Sequence, residues 1–342
     1  MRPIEDVAAL EDSLSLPTAG VLDTLRSVSG DLLVLGAGGK MGPTLARMIR
    51  RGLNAIRQSS RRVFAASRFT SVAAAASLRQ AGVETITCDL TNREAVQALP
   101  DVPNVIFLVG QKFGTDDAPE RTWITNTLVP SLAAERYSKS RIVVLSTGCV
   151  YPLAAIDGPG SHEDDPLGPP GEYASSCVGR ERVFSHFSKL NGTPMVMVRL
   201  CYAIDLRYGV LLDLAQRVFQ RRPIDVRMGA THVIWQGDAN ARVIQSLAHT
   251  SVPPCAVNVT GRERLTIRRL ATRLGELLGR DVQFTGEEAS TAWVWDAQRS
   301  YDWFGHPEVS VEEMLQSTAD WVLRGGETLN RPTHFEVRDG RF

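Results

Sequence analysis

A glycine-rich turn is the clearest chemical feature of the sequence. It comprises Gly36, Gly38, Gly39, Lys40, Met41 and Gly42. The turn follows an apolar run and precedes a helical stretch that begins with Pro43, a residue suited to the first turn of a helix. Glycines let the backbone turn tightly and approach a ligand closely, and the free N–H groups of a helix start attract an anion. We therefore predict that this turn holds the diphosphate of a dinucleotide.

Two further strand ends indicate which dinucleotide the turn serves. After the second apolar run come Ser67 and Arg68, at a position where a site for NAD would present an acid to the ribose 2′-hydroxyl group. The sequence has no acid there, and both side chains suit a 2′-phosphate, which favours NADP; a solvated loop arginine is the alternative. Asp89 and Leu90 end the third run, where Asp89 either touches the adenine or caps the following helix.

An alternation of apolar runs and amphipathic stretches positions these turns. Predicted strands lie near Leu32–Leu35, Arg62–Ala66, Glu84–Cys88, Asn104–Val109, Arg141–Ser146, Met195–Leu200 and Ala256–Val259. The alternation predicts an α/β fold of the Rossmann type, in which helices cover both faces of a doubly wound parallel sheet. We predict a helical extension over residues 1–30, a dinucleotide-binding domain over 31–200 and a smaller, mostly helical substrate lobe over 201–342. A strand near 255–260 returns to the sheet and interleaves the two lobes.

The bulk composition excludes several classes of function. Of the 342 residues, 38 are basic and 38 are acidic, so no net field attracts nucleic acid or an anionic membrane surface. The N-terminus lacks the basic start of a signal peptide, and no apolar run has the length of a membrane span. The five cysteines are widely spaced, without metal-ligand spacing, and fit reduced thiols. We expect a cytoplasmic protein with no metal site.

Beyond the glycine turn, the sequence resembles the extended short-chain dehydrogenase/reductases, the NAD(P)-dependent epimerase/dehydratase family. The spacing of Gly36, Gly39 and Gly42 is similar, and residues 146–151 resemble the family's fifth-strand motif. Further matching positions follow in order at Asn126, Glu163, Pro166, Tyr173, Ser176 and Glu181. The resemblance extends over about residues 31–238, and its motifs are specific in combination rather than singly.

The resemblance implies a catalytic tyrosine and one missing partner. Tyr173 would be the general acid/base, with Thr147 sharing its hydrogen bond, because hydride transfer at an alcohol carbon also requires proton transfer. A tyrosine with a pKa of about 10 is a poor base at neutral pH, and the family supplies a lysine four residues later to lower that pKa. In this sequence that residue is Cys177. Either catalysis has been lost, or a different residue supplies the cation.

Lys112 is our candidate for the missing cation. It follows the fourth strand, at the sheet edge where open α/β sheets bind ligands. A solvated loop lysine is the alternative. The same region, together with the family pattern, makes Val109, Gly110, Asn126 and Tyr173 predicted cofactor contacts.

Residues around the fifth and sixth strands are predicted to line a substrate pocket. The resemblance implies contacts from Gly148, Cys149, Tyr202, Asp205, Arg207, Tyr208 and Trp235. The polar members of this set suit a sugar, a sugar acid or a polyol. Asp205 and Arg207 could equally form a structural ion pair, and a tryptophan among apolar residues is more often part of a core. Thr231 stands where nucleotide-sugar enzymes tend to have an arginine, which weakens the case for a nucleotide-linked substrate.

Two functions agree with these features. We expect an NAD(P)-dependent epimerase, dehydratase or dehydrogenase that acts on a sugar, sugar acid or polyol, with Tyr173 moving the proton. The alternative is a non-catalytic NAD(P)-binding redox or metabolite sensor on the same fold, because loss of the lysine would permit it. By analogy with relatives, the helices at Arg121–Tyr137 and Tyr173–Leu190 would pair in a homodimer.

Overall fold

The computed structural model describes residues 3–341, and its centre is a seven-stranded parallel sheet. The strands are β1 (Leu32–Leu35), β2 (Val63–Ser67), β3 (Glu84–Thr87), β4 (Asn104–Phe107), β5 (Arg141–Thr147), β6 (Met195–Leu200) and β7 (Cys255–Val259). They lie in the order β7-β6-β5-β4-β1-β2-β3. The chain reverses its direction of sheet growth between β1 and β4, and in such sheets the ligand crevice opens at that point. The predicted Rossmann-type α/β fold is confirmed.

Helices cover both faces of this sheet and build most of the second lobe. They are α1 (Val7–Leu14), α2 (Ala19–Ser27), α3 (Gly42–Ala55), α4 (Val72–Gln80), α5 (Arg93–Gln97), α6 (Pro119–Trp123), α7 (Val129–Arg136), α8 (Glu172–Asn191), α9 (Val210–Phe219), α10 (Gln236–Gln245), α11 (Ile267–Leu278), α12 (Gln298–Phe304) and α13 (Val311–Leu323). A π-helical turn, Ile124–Leu128, joins α6 to α7, and 3-10 turns span Gly148–Val150 and Ser246–His249. Two-residue strands lie at Ala154–Ala155, Ala203–Ile204, Ile224–Asp225, Ala230–Thr231, Ile234–Trp235, Leu265–Thr266, Phe284–Thr285 and Thr291–Ala292. None of the helices within residues 3–341 is long and apolar enough to cross a membrane.

The side chains of β1 show how the sheet divides the core. Successive residues of a strand point to opposite faces, and here all four are apolar and buried. Leu32 and Val34 belong to the core under α2, α3 and α10, whereas Leu33 and Leu35 belong to the core under α7 and α8. Each fully buried leucine contributes about 1.5–3 kcal/mol relative to an exposed one. The uninterrupted apolar run therefore requires helices on both faces.

The residues after β6 build a second lobe around a separate core. Helices α9, α11 and α13 supply most of it, and Leu10 and Leu14 of α1 pack into the same cluster. The helical segment before β1 therefore belongs to both lobes, because Val21 and Leu25 of α2 pack into the core of the sheet. Between these helices the chain returns once to the sheet, where β7 pairs with β6.

The end of the chain crosses from the second lobe to the start of α8. We call residues 329–341 the C-terminal strap. The Leu329 N–H donates a 3.0 Å hydrogen bond to the Arg207 carbonyl, and the Phe335 side chain is buried in the core of the second lobe. Farther along, Gly340 approaches Gly171 so closely that a Cβ atom on Gly340 would lie 3.0 Å from the Gly171 Cα. The strap is thus fixed along its length.

Candidate active site

The glycine turn between β1 and α3 has the geometry of an anion-binding loop. Gly36 has φ +83°, in the left-handed region that favours glycine. A Cβ atom on Gly42 would lie 2.5 Å from the Ala37 Cα, so only glycine allows this close approach. Helix α3 begins at Gly42, and no side chain caps its start. Its first N–H groups therefore remain for an anion, as the diphosphate of a dinucleotide requires.

Two connected cavities open along the carboxyl edge of the sheet. The outer groove, of about 760 Å³, is lined by residues that include Gly38, Ser67, Arg68, Asp89, Leu90, Val109 and Arg331. The inner pocket, of about 310 Å³, is lined by residues that include Lys40, Met41, Gly42, Thr147, Cys149, Tyr173, Tyr202, Tyr208, Trp295 and Thr333. Both share Gly36, Gly39, Leu108, Gly110 and Lys112. This arrangement suits an extended dinucleotide whose diphosphate lies between the two.

Tyr173 lies in the first turn of α8 and faces the inner pocket. Its phenol forms a hydrogen bond with Cys177, the residue one helical turn later. Burial raises the pKa of Tyr173 well above its usual value, the nearby thiols of Cys177 and Cys149 raise it further, and Arg180 opposes the shift. The phenol is consequently protonated at neutral pH and is placed to donate a proton.

A buried guanidinium group lies on the same face of α8, seven residues after Tyr173. Arg180 is 4% exposed and forms no ion pair with a carboxylate among residues 3–341. It donates hydrogen bonds to the Leu145 carbonyl at 2.9 Å and to Asn126 Oδ1 at 2.5 Å. Its charge lowers the pKa of both Tyr173 and Cys177. Arg180 is therefore a cation that stabilises the ionised forms of these two groups.

Asn126 connects Arg180 to the loop after β4. Its Oδ1 also accepts a 3.1 Å hydrogen bond from the Gln111 N–H, and its Nδ2 donates to the Gln111 carbonyl at 3.1 Å and to Ser176 Oγ at 2.8 Å. The residue lies in the π-helical turn, a distortion that occurs often at functional sites. Asn126 thus holds the backbone of the loop, which lines both cavities, against α8.

Lys112 lies at the junction of the two cavities and contacts the C-terminal strap. Its Nζ donates a 2.9 Å hydrogen bond to the Thr333 carbonyl. Thr333 is in turn fixed by Asp213 of α9, whose Oδ2 accepts hydrogen bonds from its N–H at 2.7 Å and its hydroxyl at 2.6 Å. Burial lowers the pKa of Lys112, an effect that nearby Cys149, Asp213 and Glu336 oppose.

A buried ion pair fixes α8 against the sheet. Arg199 of β6 contacts Glu181 of α8 with Nη2 to Oε2 at 2.8 Å, and Ser146 of β5 donates a 2.6 Å hydrogen bond to Glu181 Oε1. Arg199 also donates to the Tyr151 hydroxyl at 2.6 Å. Because Ser146 precedes Thr147 and Glu181 shares a helix with Tyr173, this network sets the relative position of Thr147 and Tyr173.

Comparison with protein families identifies the chain. The NAD dependent epimerase/dehydratase family matches residues 32–204, just over half of the sequence. The chain belongs to this family. It is accordingly an enzyme of the NAD-dependent epimerase/dehydratase type. No curated protein sequence matches it.

Solved structures of family enzymes share the fold. The Thermus thermophilus UDP-glucose 4-epimerase in complex with NAD is 19% identical, with a TM-score of 0.69 over 85% of this chain and 98% of that one. The dTDP-glucose 4,6-dehydratase of Bacillus anthracis in complex with NAD is 16% identical, with a TM-score of 0.71 over 86% and 97%. The dTDP-glucose 4,6-dehydratase of Streptomyces venezuelae, with NAD and TYD bound, is 19% identical, with a TM-score of 0.72 over 86% and 97%.

Most residues predicted from the sequence line one of the two cavities. Among the predicted cofactor contacts these are Gly36, Gly38, Gly39, Lys40, Met41, Gly42, Ser67, Arg68, Asp89, Leu90, Val109, Gly110 and Tyr173. The predicted catalytic residues Thr147 and Lys112 and the predicted substrate contacts Cys149, Tyr202 and Tyr208 line the inner pocket. Lys40 lines the inner pocket and does not line the outer groove.

Three predicted substrate contacts lie outside the inner pocket, and this corrects the sequence-based expectation. Asp205 is buried, and its Oδ1 accepts a 2.6 Å hydrogen bond from the Arg207 N–H. Arg207 Nη2 lies 3.9 Å from Asp205 Oδ2, which is the ion pair that the sequence left open, and Arg207 Nη1 lies 3.3 Å from Glu11 Oε1. Trp235 is buried in the core of the second lobe, because apolar helices surround its short strand.

Two further predicted contacts, Gly148 and Asn126, lie just behind the cavity walls. A Cβ atom on Gly148 would lie 2.5 Å from Trp295 Nε1, which donates a 2.9 Å hydrogen bond to the Gly148 carbonyl. The indole of Trp295 therefore lines the pocket where Gly148 was expected to do so. Asn126 is fully buried and acts through Gln111, as described above.

Sequence reasoning missed three residues that shape the site. Arg180 had a signal, because a residue seven positions after Tyr173 lies on the same helical face. Trp295 and Thr333 had none, because both lie in irregular segments far along the chain. The departure at Cys177 stands: this side chain is buried between Tyr173 and Arg180 in the place of the family's lysine.

Proposed function

We propose that the protein transfers hydride and a proton at a hydroxyl-bearing carbon of a sugar, sugar acid or polyol. The observation that carries this proposal is that the outer groove and the inner pocket meet at Gly110 and Lys112, with Tyr173 and Thr147 in the wall of the pocket. The glycine turn at this junction fits a diphosphate. The proposed dinucleotide site and the proposed substrate site are therefore adjacent at one edge of the sheet.

NAD(P) would be held by the glycine turn and the outer groove. When bound, it supplies the hydride acceptor and donor. Ser67 and Arg68 favour NADP, since they end β2 without an acidic residue beside them. Asp89 follows β3 in the same groove, where its Oδ1 accepts 3.0 Å and 2.8 Å hydrogen bonds from the N–H and hydroxyl of Thr91.

Tyr173 moves the proton in the proposed reaction. Thr147 lines the pocket, and its Oγ1 accepts a 3.2 Å hydrogen bond from the Cys149 N–H, which leaves its own hydroxyl proton to donate to the substrate oxygen. Lys112 supplies positive charge at the mouth of the pocket and replaces the missing lysine, with Arg180 adding charge from the buried side of α8. These cations stabilise the phenolate that forms when Tyr173 gives up its proton.

Two variants test the proposal. Tyr173→Phe removes the phenol hydroxyl, and Lys112→Ala removes the ammonium group with the rest of the side chain beyond Cβ, so each should lower kcat by about a hundredfold or more. Binding of NADP, followed by calorimetry, should persist in Tyr173→Phe, and thermal unfolding should show that both variants fold. An exposed lysine, Lys139, supplies the matched control Lys139→Ala, which should leave activity unchanged. Full activity in Tyr173→Phe would overturn the proposal.

One observation favours a second function. Because Cys177 replaces the lysine, and burial keeps the pKa of Tyr173 high, the site would also suit a sensor that binds NAD(P) without turnover. The two functions differ in one measurement. A sensor binds the dinucleotide and a metabolite but exchanges no hydride, so incubation with the metabolite would change neither the absorbance of the cofactor nor the structure of the metabolite, whereas an enzyme would yield an isomer, a dehydrated product or an oxidised product.

We also propose that the protein forms a homodimer and resides in a reducing compartment. On the surface of the helices between residues 119 and 136, Trp123, Ile124 and Leu128 are 37%, 46% and 38% exposed. An apolar cluster on a helix that packs against α8 supports the pairing predicted from the sequence. The five free thiols agree with the cytoplasm, where disulfides are rare.

A further inference from the structure

Lys40 leaves the glycine turn on the side of the second lobe. Its Nζ donates a 2.9 Å hydrogen bond to the Ala203 carbonyl and lies 4.3 Å from the centre of the Tyr208 ring. The side chain lines the inner pocket and does not contribute to the lining of the outer groove. The contacts with Ala203 and Tyr208 therefore direct the ammonium group toward the second lobe.

The charged lining of the inner pocket is positive. Its charged side chains are Lys40 and Lys112, and no aspartate or glutamate of the described residues contributes to it. Lys40 forms no ion pair with a carboxylate in residues 3–341. The carboxylate whose charge acts on it most strongly, Asp205, is buried outside the pocket lining, with Oδ1 accepting a 2.6 Å hydrogen bond from the Arg207 N–H and Oδ2 at 3.9 Å from Arg207 Nη2. An ammonium group has three N–H donors, and the Ala203 carbonyl accepts one. The remaining donors suit an anion.

Burial makes the charged form of Lys40 energetically unfavourable when no ligand is bound. It lowers the pKa of Lys40 to about 8, although Asp205 acts in the opposite direction. A buried charge is destabilising unless it is paired and hydrogen-bonded. A negatively charged ligand at Nζ would stabilise the ammonium form, so the pocket favours anionic over neutral molecules of the same shape.

The C-terminal strap limits the size of that anion. Thr333 lines the pocket and is held from both sides, by Lys112 at 2.9 Å and by Asp213 at 2.6 Å and 2.7 Å. The pocket of about 310 Å³ is at the small end of the range for ligand sites, and it must also admit the reactive end of the dinucleotide. We therefore expect the fixed strap to leave too little room for a substrate that carries its own nucleotide.

The other lining groups suit a polyhydroxy compound. Tyr202 and Tyr208 supply two phenol groups and Thr147 a hydroxyl, each able to donate and accept a hydrogen bond. Trp295 supplies an aromatic surface on which the apolar face of a sugar can lie. The pocket thus offers hydroxyl contacts around one cationic end.

We propose that the substrate is a compact polyhydroxy carboxylate, a sugar acid that is not linked to a nucleotide, and that its carboxylate binds Lys40. This inference rests on the proposed function, because it assigns a substrate class to the same pocket. Lys40 is then the residue that selects the acid over the neutral sugar. Thr333 is the residue through which the strap excludes a nucleotide-linked sugar.

The first experiment measures ligand selectivity without requiring turnover. Binding to the protein saturated with NADP is measured by calorimetry for D-gluconate and D-galacturonate, for their neutral counterparts D-glucitol and D-galactose, and for UDP-galactose. At least one of the two acids should bind about tenfold more tightly than its neutral counterpart, and UDP-galactose should not bind.

The second experiment assigns the selectivity to Lys40. In Lys40→Met the affinity for the acid should fall about tenfold, to that of the neutral counterpart, while calorimetry still shows that NADP binds. Lys40→Arg keeps the charge and should retain the preference for the acid. Lys139→Met, which removes an exposed lysine, should change neither affinity. Thermal unfolding establishes that each variant folds. If Lys40→Met does not fold, the proposal is judged from the preference for the acid in Lys40→Arg and from the ligand selectivity measured in the first experiment.

The outcomes separate this inference from the proposed function. If NADP and NAD fail to bind at all, the proposed function fails. If the dinucleotide binds but the neutral sugars or UDP-galactose bind as tightly as the acids, or neither acid binds at millimolar concentration, the sugar-acid inference is overturned and the proposed function stands. An unchanged preference for the acid in Lys40→Met would overturn the role of Lys40.

Discussion

Arg180 donates a 2.5 Å hydrogen bond from Nη2 to Oδ1 of Asn126, and both side chains are buried behind the loop that joins the two cavities. A guanidinium group stays charged at every pH that proteins tolerate. The charge therefore persists in the apolar interior beside Tyr173 and Cys177, with no carboxylate of the described residues paired to it. A conventional member of the family would have a lysine in this region.

Replacing Arg180 should change the pH dependence of the reaction. Without the guanidinium group the pKa of Tyr173 rises, since Arg180 lowers it in the native protein. In the direction that oxidises an alcohol, where Tyr173 accepts the proton, the rising limb of the pH–rate profile should move to higher pH in Arg180→Met. We expect kcat/KM at pH 7 to fall about tenfold to a hundredfold.

A charge-preserving variant controls for structural damage. Arg180→Lys keeps a cation and should leave the limb of the profile near its native position, even if the hydrogen bond to Leu145 is lost. Equal losses at every pH in both variants, with no movement of the limb, would mean that Arg180 only supports the fold.

The glycine turn could be predicted from the sequence more completely than the lining of the substrate pocket. The glycine turn was predictable because its strand, turn and helix are adjacent in sequence, and local spacing determines their geometry. Tyr202 and Tyr208 also line the pocket as expected. Between them in sequence, Asp205 turns away, since its carboxylate bonds to the Arg207 backbone and Arg207 reaches Glu11 of α1. That contact links segments almost two hundred residues apart, and no local pattern contains it.

The walls of the inner pocket depend on long-range packing in the same way. The sequence offered Trp235 as an aromatic wall, but a tryptophan on a short strand between apolar helices becomes core. Trp295 takes that place through a hydrogen bond to the Gly148 carbonyl. Thr333 reaches the pocket only because Asp213 and Lys112 hold it there. Neither segment has a periodicity that indicates where it packs.

His232 should make the protein less stable in mild acid. It is buried and neutral, its Nδ1 lies 3.3 Å from the Gly261 carbonyl, and burial lowers its pKa from 6.5 to about 4. The unfolded chain binds a proton on this histidine below pH 6.5, whereas the folded protein does so only near pH 4. The free energy of unfolding should therefore fall as the pH drops between these values, by about 3 kcal/mol from this group.

Denaturant unfolding of a matched variant isolates this contribution. His232→Gln has no titrating group, so its free energy of unfolding should fall less between pH 6.5 and pH 4 than that of the native protein. Other groups titrate in both proteins and cancel in the difference. Parallel pH curves for the two proteins would contradict a neutral, buried His232.

Charges on the exposed apolar cluster should separate the proposed dimer. Ile124 and Leu128 lie one turn apart on the same face of the π-helical turn, and both are partly exposed. A glutamate at either position would bury an unpaired charge in the interface, at a cost of several kcal/mol. Ile124→Glu and Leu128→Glu should each be monomeric in size-exclusion chromatography with light scattering. Leu323→Glu, at an exposed position at the end of α13, should leave the native mass unchanged, and a native protein that is already monomeric would refute the pairing.

Reversing the charge of Arg68 should reverse the cofactor preference. The side chain is exposed at the end of β2 and lines the outer groove, where its guanidinium group can pair with a 2′-phosphate. In Arg68→Glu the carboxylate repels that phosphate and can accept a hydrogen bond from a ribose 2′-hydroxyl instead. The dissociation constant for NADP should rise about tenfold to a hundredfold, while that for NAD stays equal or falls. Arg57→Glu makes the same change of charge on an exposed arginine that lines neither cavity, and should alter neither constant. If the ratio of the two constants is the same in Arg68→Glu as in the native protein, the preference for NADP does not come from this residue.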